Sequence, residues 1–275
     1  MRKLIVLLVF CLVFLSAKAE ILEEVFTYKN TGKRDLTITK LSSATTPKNA
    51  PAVVLFFGGG WHGGKLNQLR PHAEIYVEHG MVAFLVDYRV FSRDKTLPDK
   101  SIEDAKSAMR FVRGNAKKFK INPKKIVASG ESAGGHLASA TAFITEIDSA
   151  EDNLKISPVP NAMVLINPVS DTSPEGYHSG LVQNFGEWQR LSALHNIKKS
   201  SPPTIYFVGD RDKHVPVASA KAFKKAVEDA GARCDLLIYE NCFHSDFNSY
   251  KRDGEYFKIS MDESLKFLRE LKFIK

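Results

Sequence analysis

Cysteine is scarce in this chain: three residues in 275. Cys11 lies in an apolar run near the N-terminus, which leaves Cys234 and Cys242. Residues 235–239 between them read as a strand, and an extended chain would hold the two Cα atoms about 20–26 Å apart. A disulfide needs them within about 7 Å, so two free thiols are expected. Residues 50–275 also lack a linker, a low-complexity stretch and an internal repeat. No grouping of His, Cys, Asp and Glu has metal-ligand spacing, and neither a metal nor a cofactor is expected. Long basic runs are missing too. Lysines occur in short groups among acids, as in Lys117-Lys118-Phe119-Lys120 and Lys198-Lys199, which reads as solvated helix ends and not as a nucleic-acid surface.

What remains is ordinary globular composition, 44% hydrophobic and 25% charged, enough for one or two domains. The first nineteen residues differ from the rest. Arg2 and Lys3 precede an apolar run from Leu4 to Leu15, followed by Ser16-Ala17-Lys18-Ala19. Charged start, apolar run and A-x-A predict a secretory signal peptide cut after Ala19, and so a secreted or periplasmic protein. The run is too short to span a bilayer, and Phe10 before Cys11 disfavours a lipoprotein site, so no stable membrane anchor is expected. Without Arg2, Lys3 and Lys18 the net charge falls from +8 to +5. Residues 20–275 are then read as a single domain.

Residues 24–28 and 36–40 read as an antiparallel pair around Asn30-Thr31-Gly32-Lys33. From residue 52 onward strands and helices alternate. Buried strands are expected at 52–57, 81–86, 125–129, 162–167, 204–208 and 236–239. Helices are expected at 71–78, behind a capping box at Ser101-Ile102-Glu103-Asp104, after Gly135, at 218–230 and at the C-terminus. Ala105, Met109, Val112 and Ala116 mark the apolar side of the second, and Asn122-Pro123 closes that unit. Leu137, Ala138, Thr141 and Ile144 line one face of the third. Such alternation specifies a mostly parallel sheet with helices on both faces, and ligands bind at the C-terminal ends of its strands.

Gly130-Glu131-Ser132-Ala133-Gly134 falls between one such strand and a helix, the setting in which G-x-S-x-G forms a nucleophile elbow. Alone, these five residues are equally compatible with a Gly-rich loop. Three further strand ends weigh in. Phe57-Gly58-Gly59-Gly60-Trp61 lets the backbone approach a ligand and aim N–H groups at developing negative charge, Gly59 and Gly60 being the candidate donors with Ala133. Asp210 and Asp212 follow the strand at 204–208, and His244 follows the strand ending at Tyr239. Nucleophile, acid and histidine in that chain order form the hydrolase arrangement. Trp61 and His62 beside the glycine loop are candidate substrate contacts. His72, His79, His178 and His195 read as surface or packing residues, and His136 as packing. His214 is too near Asp212 in sequence to serve as its base. Cys242 reads as a chance loop cysteine, since Ser132 already occupies the elbow.

From about residue 50 to 250 the chain resembles the α/β-hydrolases of the hormone-sensitive-lipase-like group, especially short secreted bacterial members that include acetyl xylan and feruloyl esterases. The resemblance rests on Gly58-Gly59-Gly60-Trp61, Asp87-Tyr88-Arg89, Gly130-Glu131-Ser132-Ala133-Gly134-Gly135, Asp212-Lys213-His214-Val215-Pro216 and His244. It implies an α/β-hydrolase fold and selects Asp212 over Asp210, since the family's acid stands three residues before the valine of D-x-x-V-P. It implies a Ser132-His244-Asp212 triad acting on esters, with no cofactor. One departure is Phe57, where the family usually places a histidine before the glycines. No large cap domain is expected: residues 20–50 hold no long amphipathic helix, and residues 168–203 read as a modest irregular insert. The expected substrate is a small ester or an acetylated carbohydrate, with acetyl groups on plant polysaccharide foremost. The alternatives are a general short-chain carboxylesterase, a serine peptidase, or a catalytically silent binding protein of the same fold.

Overall fold

A computed structural model describes residues 20–198 and 201–275; the expected signal peptide at 1–19 lies outside the described residues. Among the described residues eight strands, β1 (Ile21–Asn30), β2 (Asp35–Ser43), β3 (Ala50–Phe56), β4 (Val82–Val86), β5 (Ile121–Glu131), β6 (Ala162–Ile166), β7 (Thr204–Gly209) and β8 (Cys234–Tyr239), form one sheet in the order β1-β2-β4-β3-β5-β6-β7-β8. The β1–β2 and β2–β4 pairs are antiparallel, and the pairs from β4 through β8 are parallel. Strands β3, β4, β6 and β7 are buried along their whole length, which explains their continuous apolar runs: both faces are covered by helices.

The helices are α1 (Arg70–Glu78), α2 (Phe91–Asp94), α3 (Pro98–Gly114), α4 (Ala116–Phe119), α5 (Ala133–Phe143), α6 (Gly180–Phe185), α7 (Trp188–Leu191), α8 (Val217–Asp229) and α9 (Glu255–Glu270). Two apolar layers result. Residues of α3, α5 and α8 pack one face of the sheet, with Val54, Phe56, Ala128 and Leu165. Residues of α1 and α9 pack the other, with Val53, Leu55, Val164 and Phe207. Among the described residues no helix is long and apolar enough to cross a membrane.

Several sequence expectations are corrected. Ser101 does not cap α3, which begins at Pro98, whose fixed φ suits the first helical position. Instead, the Ser101 hydroxyl donates to the Arg89 carbonyl at 2.7 Å. Asp104, from the same tetrapeptide, is fully buried and accepts from Arg89 Nη2 at 2.7 Å and Nε at 2.8 Å. The residues that resembled a cap therefore anchor the strand end after β4. Ala116 belongs to the separate turn α4 and not to α3. Asn122-Pro123 lies inside β5, where the register to β3 shifts between Ala50 and Ala52, so the strand starts earlier than its apolar run. Apart from half-buried Ala142, all of α5 is buried, so it has no distinct apolar face.

Cys234 and Cys242 are free and buried, as the strand between them requires. Burial pushes both thiols up to about 12. His72 in α1 is also buried, edge-on to Phe257 with 4.7 Å between ring centres, and neither ring nitrogen has a partner. Loss of hydration lowers its pKa from an ordinary 6.5 to about 3. Because the unfolded chain binds this proton first, the stability His72 allows is complete above pH 6.5 and drains away as pH falls toward 3. His72→Phe removes that titration. Urea unfolding should show the variant gaining about 2 kcal/mol over the parent between pH 7 and pH 5; an equal difference at both pH values would contradict the burial account.

Candidate active site

The turn between β5 and α5 forces its glycines. A Cβ on Gly130 would stand 2.4 Å from the Gly134 backbone, and one on Gly134 would stand 2.0 Å from the Phe56 carbonyl oxygen. Between them Ser132 takes φ 55° and ψ −118°, a region rarely open to a residue with a side chain. Hydrogen bonds hold it there. The Ser132 N–H donates to the Ile166 carbonyl and to Asn167 Oδ1, both at 3.0 Å. Its carbonyl accepts from the His136 N–H at 2.9 Å and the Val169 N–H at 3.1 Å. The side chain is thereby lifted over the C-terminal edge of the sheet.

His244 meets it from the loop after β8. Nε2 lies 2.9 Å from Ser132 Oγ, and Nδ1 lies 2.6 Å from Asp212 Oδ2. A carboxylate only accepts, so Nδ1 carries the proton and Nε2 is left to accept the serine hydroxyl. Asp212 is inaccessible to solvent at its side chain, and its other oxygen accepts the N–H groups of His214 at 2.8 Å and Val215 at 2.9 Å. Asp210, the other acid of this loop, is partly exposed beside Arg211. Thus Ser132, His244 and Asp212, remote in sequence, form one hydrogen-bonded chain.

The glycine loop forms the facing wall. Gly58 gives its N–H to Gln68 Oε1 at 2.7 Å, so it is not free to bind a ligand. Gly59 and Gly60 have φ of 133° and 60° and line the same cavity of about 300 Å³ as Ser132 and His244. Ala133, the third candidate donor, opens α5, where backbone N–H groups are free of helical partners. Phe57 stacks on Tyr88 with 4.1 Å between ring centres, and the Tyr88 hydroxyl donates to the Phe57 carbonyl at 2.6 Å. Phe57 is therefore an anchor for the loop, and Asp87-Tyr88-Arg89 is its footing: Arg34 and Arg93 bind Asp87, while Arg89 binds Asp104.

Trp61 and His62 do not line this cavity. Trp61 is fully buried behind the loop, edge-on to His136 at 4.9 Å, and exposed His62 packs on Phe91 at 5.7 Å. His136 is a packing residue, its Nε2–H donating to the Leu191 carbonyl at 2.6 Å while burial lowers its pKa to about 4. The cavity wall comprises instead Gln68, Glu131, Tyr177, His214, Asn248 and Tyr250. His214, excluded as a base by its place in the acid loop, nonetheless stands edge-on to His244 at 5.0 Å. Asn167 reads in the sequence only as the end of a strand, yet it bridges the elbow to the histidine loop: Oδ1 accepts from the Ser132 N–H while Nδ2 donates to the His244 carbonyl. No motif marks it, although its φ of 35° lies where non-glycine residues are uncommon. Among the described residues no cluster of three His, Cys, Asp or Glu side chains could hold a metal.

Residues 40–174 match the BD-FAE family and residues 174–271 the dienelactone hydrolase family. A thermophilic esterase of Thermogutta terrifontis, solved with propionate bound, superposes with a TM-score of 0.86 at 37% identity, covering 92% of this chain and 95% of that one. Endo-1,4-beta-xylanase B of Butyrivibrio fibrisolvens is 27% identical over 76% of this chain, and the acetylxylan esterase of Xylanibacter ruminicola 27% identical over 61%. The chain spans only 35% of the length of each of these two. Asn167→Ala would leave the elbow N–H with one acceptor and the histidine loop with one tether fewer. Turnover of p-nitrophenyl acetate is expected to fall about 10–100-fold, mainly in kcat, as for a misplacement of about an ångström; an unchanged kcat would show that the bridge is dispensable. By fold and by identity across nearly the whole of a solved relative, the chain belongs to the esterases of the α/β-hydrolase fold.

Proposed function

We propose that this esterase removes short acyl groups, acetyl above all, from carbohydrate, through an acyl-enzyme on Ser132. The observation that carries the mechanism is the hydrogen-bonded chain from Asp212 through His244 to Ser132 at the floor of an open cavity. Ser132 Oγ attacks the ester carbonyl as His244 Nε2 takes its proton, and Asp212 stabilises the imidazolium that forms. The N–H groups of Gly59, Gly60 and Ala133 receive the oxyanion. His244 then gives the proton to the departing alcohol. It next draws one from water, whose oxygen attacks the acyl carbon, and returns that proton to Ser132 Oγ as the acid leaves.

The cavity supports the substrate class. It is small, and its wall is largely glycine, amide, carboxylate and imidazole, which suits a short acyl group better than a fatty chain. It adjoins a second recess of about 480 Å³ bounded by Gly64, Lys65, Asn67 and Gln68, with Tyr250 between the two. Tyr250 is 71% exposed, offering a ring face on which a sugar can lie, with amide and amine groups nearby for its hydroxyls. Among its described residues the insert between β6 and β7 carries no helix longer than the short α6 and α7, with a 3-10 turn at Leu194–Asn196, so a bulky leaving group is not enclosed. The Thermogutta relative was solved with propionate and with butyrate, and one curated relative is an acetylxylan esterase. Export, expected from residues 1–19, would bring the enzyme to an extracellular polysaccharide.

Ser132→Ala should fold normally yet lose turnover by about 10⁴-fold or more, together with covalent labelling by a fluorophosphonate. Near-normal hydrolysis of p-nitrophenyl acetate by this variant would reject the triad. For the substrate, acetate release from acetylated xylo-oligosaccharides should exceed hydrolysis of p-nitrophenyl palmitate. Tyr250→Ala should raise KM for the oligosaccharide about tenfold more than for p-nitrophenyl acetate, as loss of one stacking contact would. Preference for the palmitate, or equal effects of Tyr250→Ala on both substrates, would overturn the carbohydrate assignment.

A further inference from the structure

Glu131, the residue before Ser132, is 4% exposed and takes no part in the proposed proton transfers. Its two oxygens are fully engaged elsewhere. Oε2 accepts from Gln68 Nε2 and Oε1 from Asn248 Nδ2, each at 2.9 Å. The other end of the Gln68 amide accepts the Gly58 N–H at 2.7 Å, and Asn248 also donates to the Ser245 carbonyl at 3.0 Å. A bridge thus runs from Gly58 through Gln68, Glu131 and Asn248 to Ser245. It ties together three loops that no regular ladder connects: the glycine loop after β3, the elbow after β5 and the histidine loop after β8.

The carboxylate sets the polarity of this bridge. Ionised, it only accepts, so both flanking amides must turn their NH₂ groups toward it. Gln68 then has its carbonyl oxygen left over, and that oxygen fixes the direction of the Gly58 N–H. With Gly58 turned toward Gln68, the following peptides of Gly59 and Gly60 are the ones presented to the cavity. Burial pushes the Glu131 carboxyl up to about 7 against the pull of His244 and its two amide partners, so the fold keeps this group at a cost in hydration.

We propose that Glu131 is a positioning residue that aims the oxyanion loop through Gln68 and steadies the histidine loop through Asn248. The inference rests on the hydrolytic role proposed for Ser132. Glu131→Gln keeps the shape but brings another NH₂ group into the bridge. If the new amide accepts from Asn248, its NH₂ meets that of Gln68, and relief by turning Gln68 over strips Gly58 of its acceptor. Adding Gln68→Glu repairs the set. The carboxylate now at position 68 accepts both the Gly58 N–H and the NH₂ of the amide at position 131, whose carbonyl oxygen accepts from Asn248. Charge has moved, yet every bond again has one donor and one acceptor.

The expected result is a fall in kcat for p-nitrophenyl acetate of about 10–100-fold in Glu131→Gln, with KM changed less. The double variant should return to within about threefold of the parent. In glycine-labelled protein, the amide resonances of Gly58 and Gly59 should move in the single variant and come back in the double, a readout that needs no turnover and so stands apart from the role of Ser132. An unchanged kcat in the single variant, or unmoved resonances, would overturn the proposal. So would a double variant as slow as the single one, because that would assign the effect to the charge of Glu131 and not to the bridge.

Discussion

The backbone of Ser132 is the constraint on which the site depends. A residue held at φ 55° and ψ −118° costs about 1–3 kcal/mol relative to relaxed backbone, and every neighbouring element is arranged to hold it. Gly130 and Gly134 leave no room for the chain to relax. Strand β6 supplies the Ile166 carbonyl and the residue after it, Asn167, a side-chain acceptor, while α5 returns the His136 N–H to the serine carbonyl. The parallel order β3-β5-β6-β7-β8 then brings the acid and histidine loops to the same edge as the serine. Sheet order is thus the means by which residues 132, 212 and 244 come within hydrogen-bond reach.

Around that centre, buried polar groups fall into two kinds. Asp104, Asp212 and Glu131 each receive several donors, and each sits where one loop must be fixed to another. His72 and His136 are different: burial keeps them neutral and they behave as flat packing residues. Trp61 and Phe57 extend the same logic to the glycine loop, whose outer side is held by ring packing and by one hydroxyl from Tyr88. Position is enforced by apolar rings behind the loop and by directional polar bonds in front of it.

Much of this is legible in the sequence. Continuous apolar runs mark the buried strands because both faces of the sheet are covered, and alternation with helices specifies the parallel architecture. G-x-S-x-G and the glycine loop carry their geometry in local backbone demands, so short motifs reveal them, whereas Asp212 is singled out from Asp210 only through the resemblance. What escapes are residues whose role depends on partners far along the chain. Asn167 and Glu131 act through residues 77 and 117 positions away, and nothing local distinguishes them. Trp61 is misread as a substrate contact because proximity in sequence to the glycine loop does not say which side of the loop a ring occupies. Ser101 misleads in the same way: a serine three positions before Asp104 has the pattern of a cap but serves the preceding strand end.

Among its described residues, the insert between β6 and β7 contributes one side chain, Tyr177, to the cavity wall. Ser132, His244, Asp212 and the glycine loop all come from other connections. The Tyr177 side of the wall can therefore change apart from the Ser132–His244–Asp212 chain, whereas the recess at Lys65, Asn67 and Tyr250 shares its loops with the glycines and His244. A lineage carrying this scaffold is free to lengthen or shorten that connection beyond Val169, and so to reshape the Tyr177 side of the cavity, while Asn167 and Val169 go on holding Ser132.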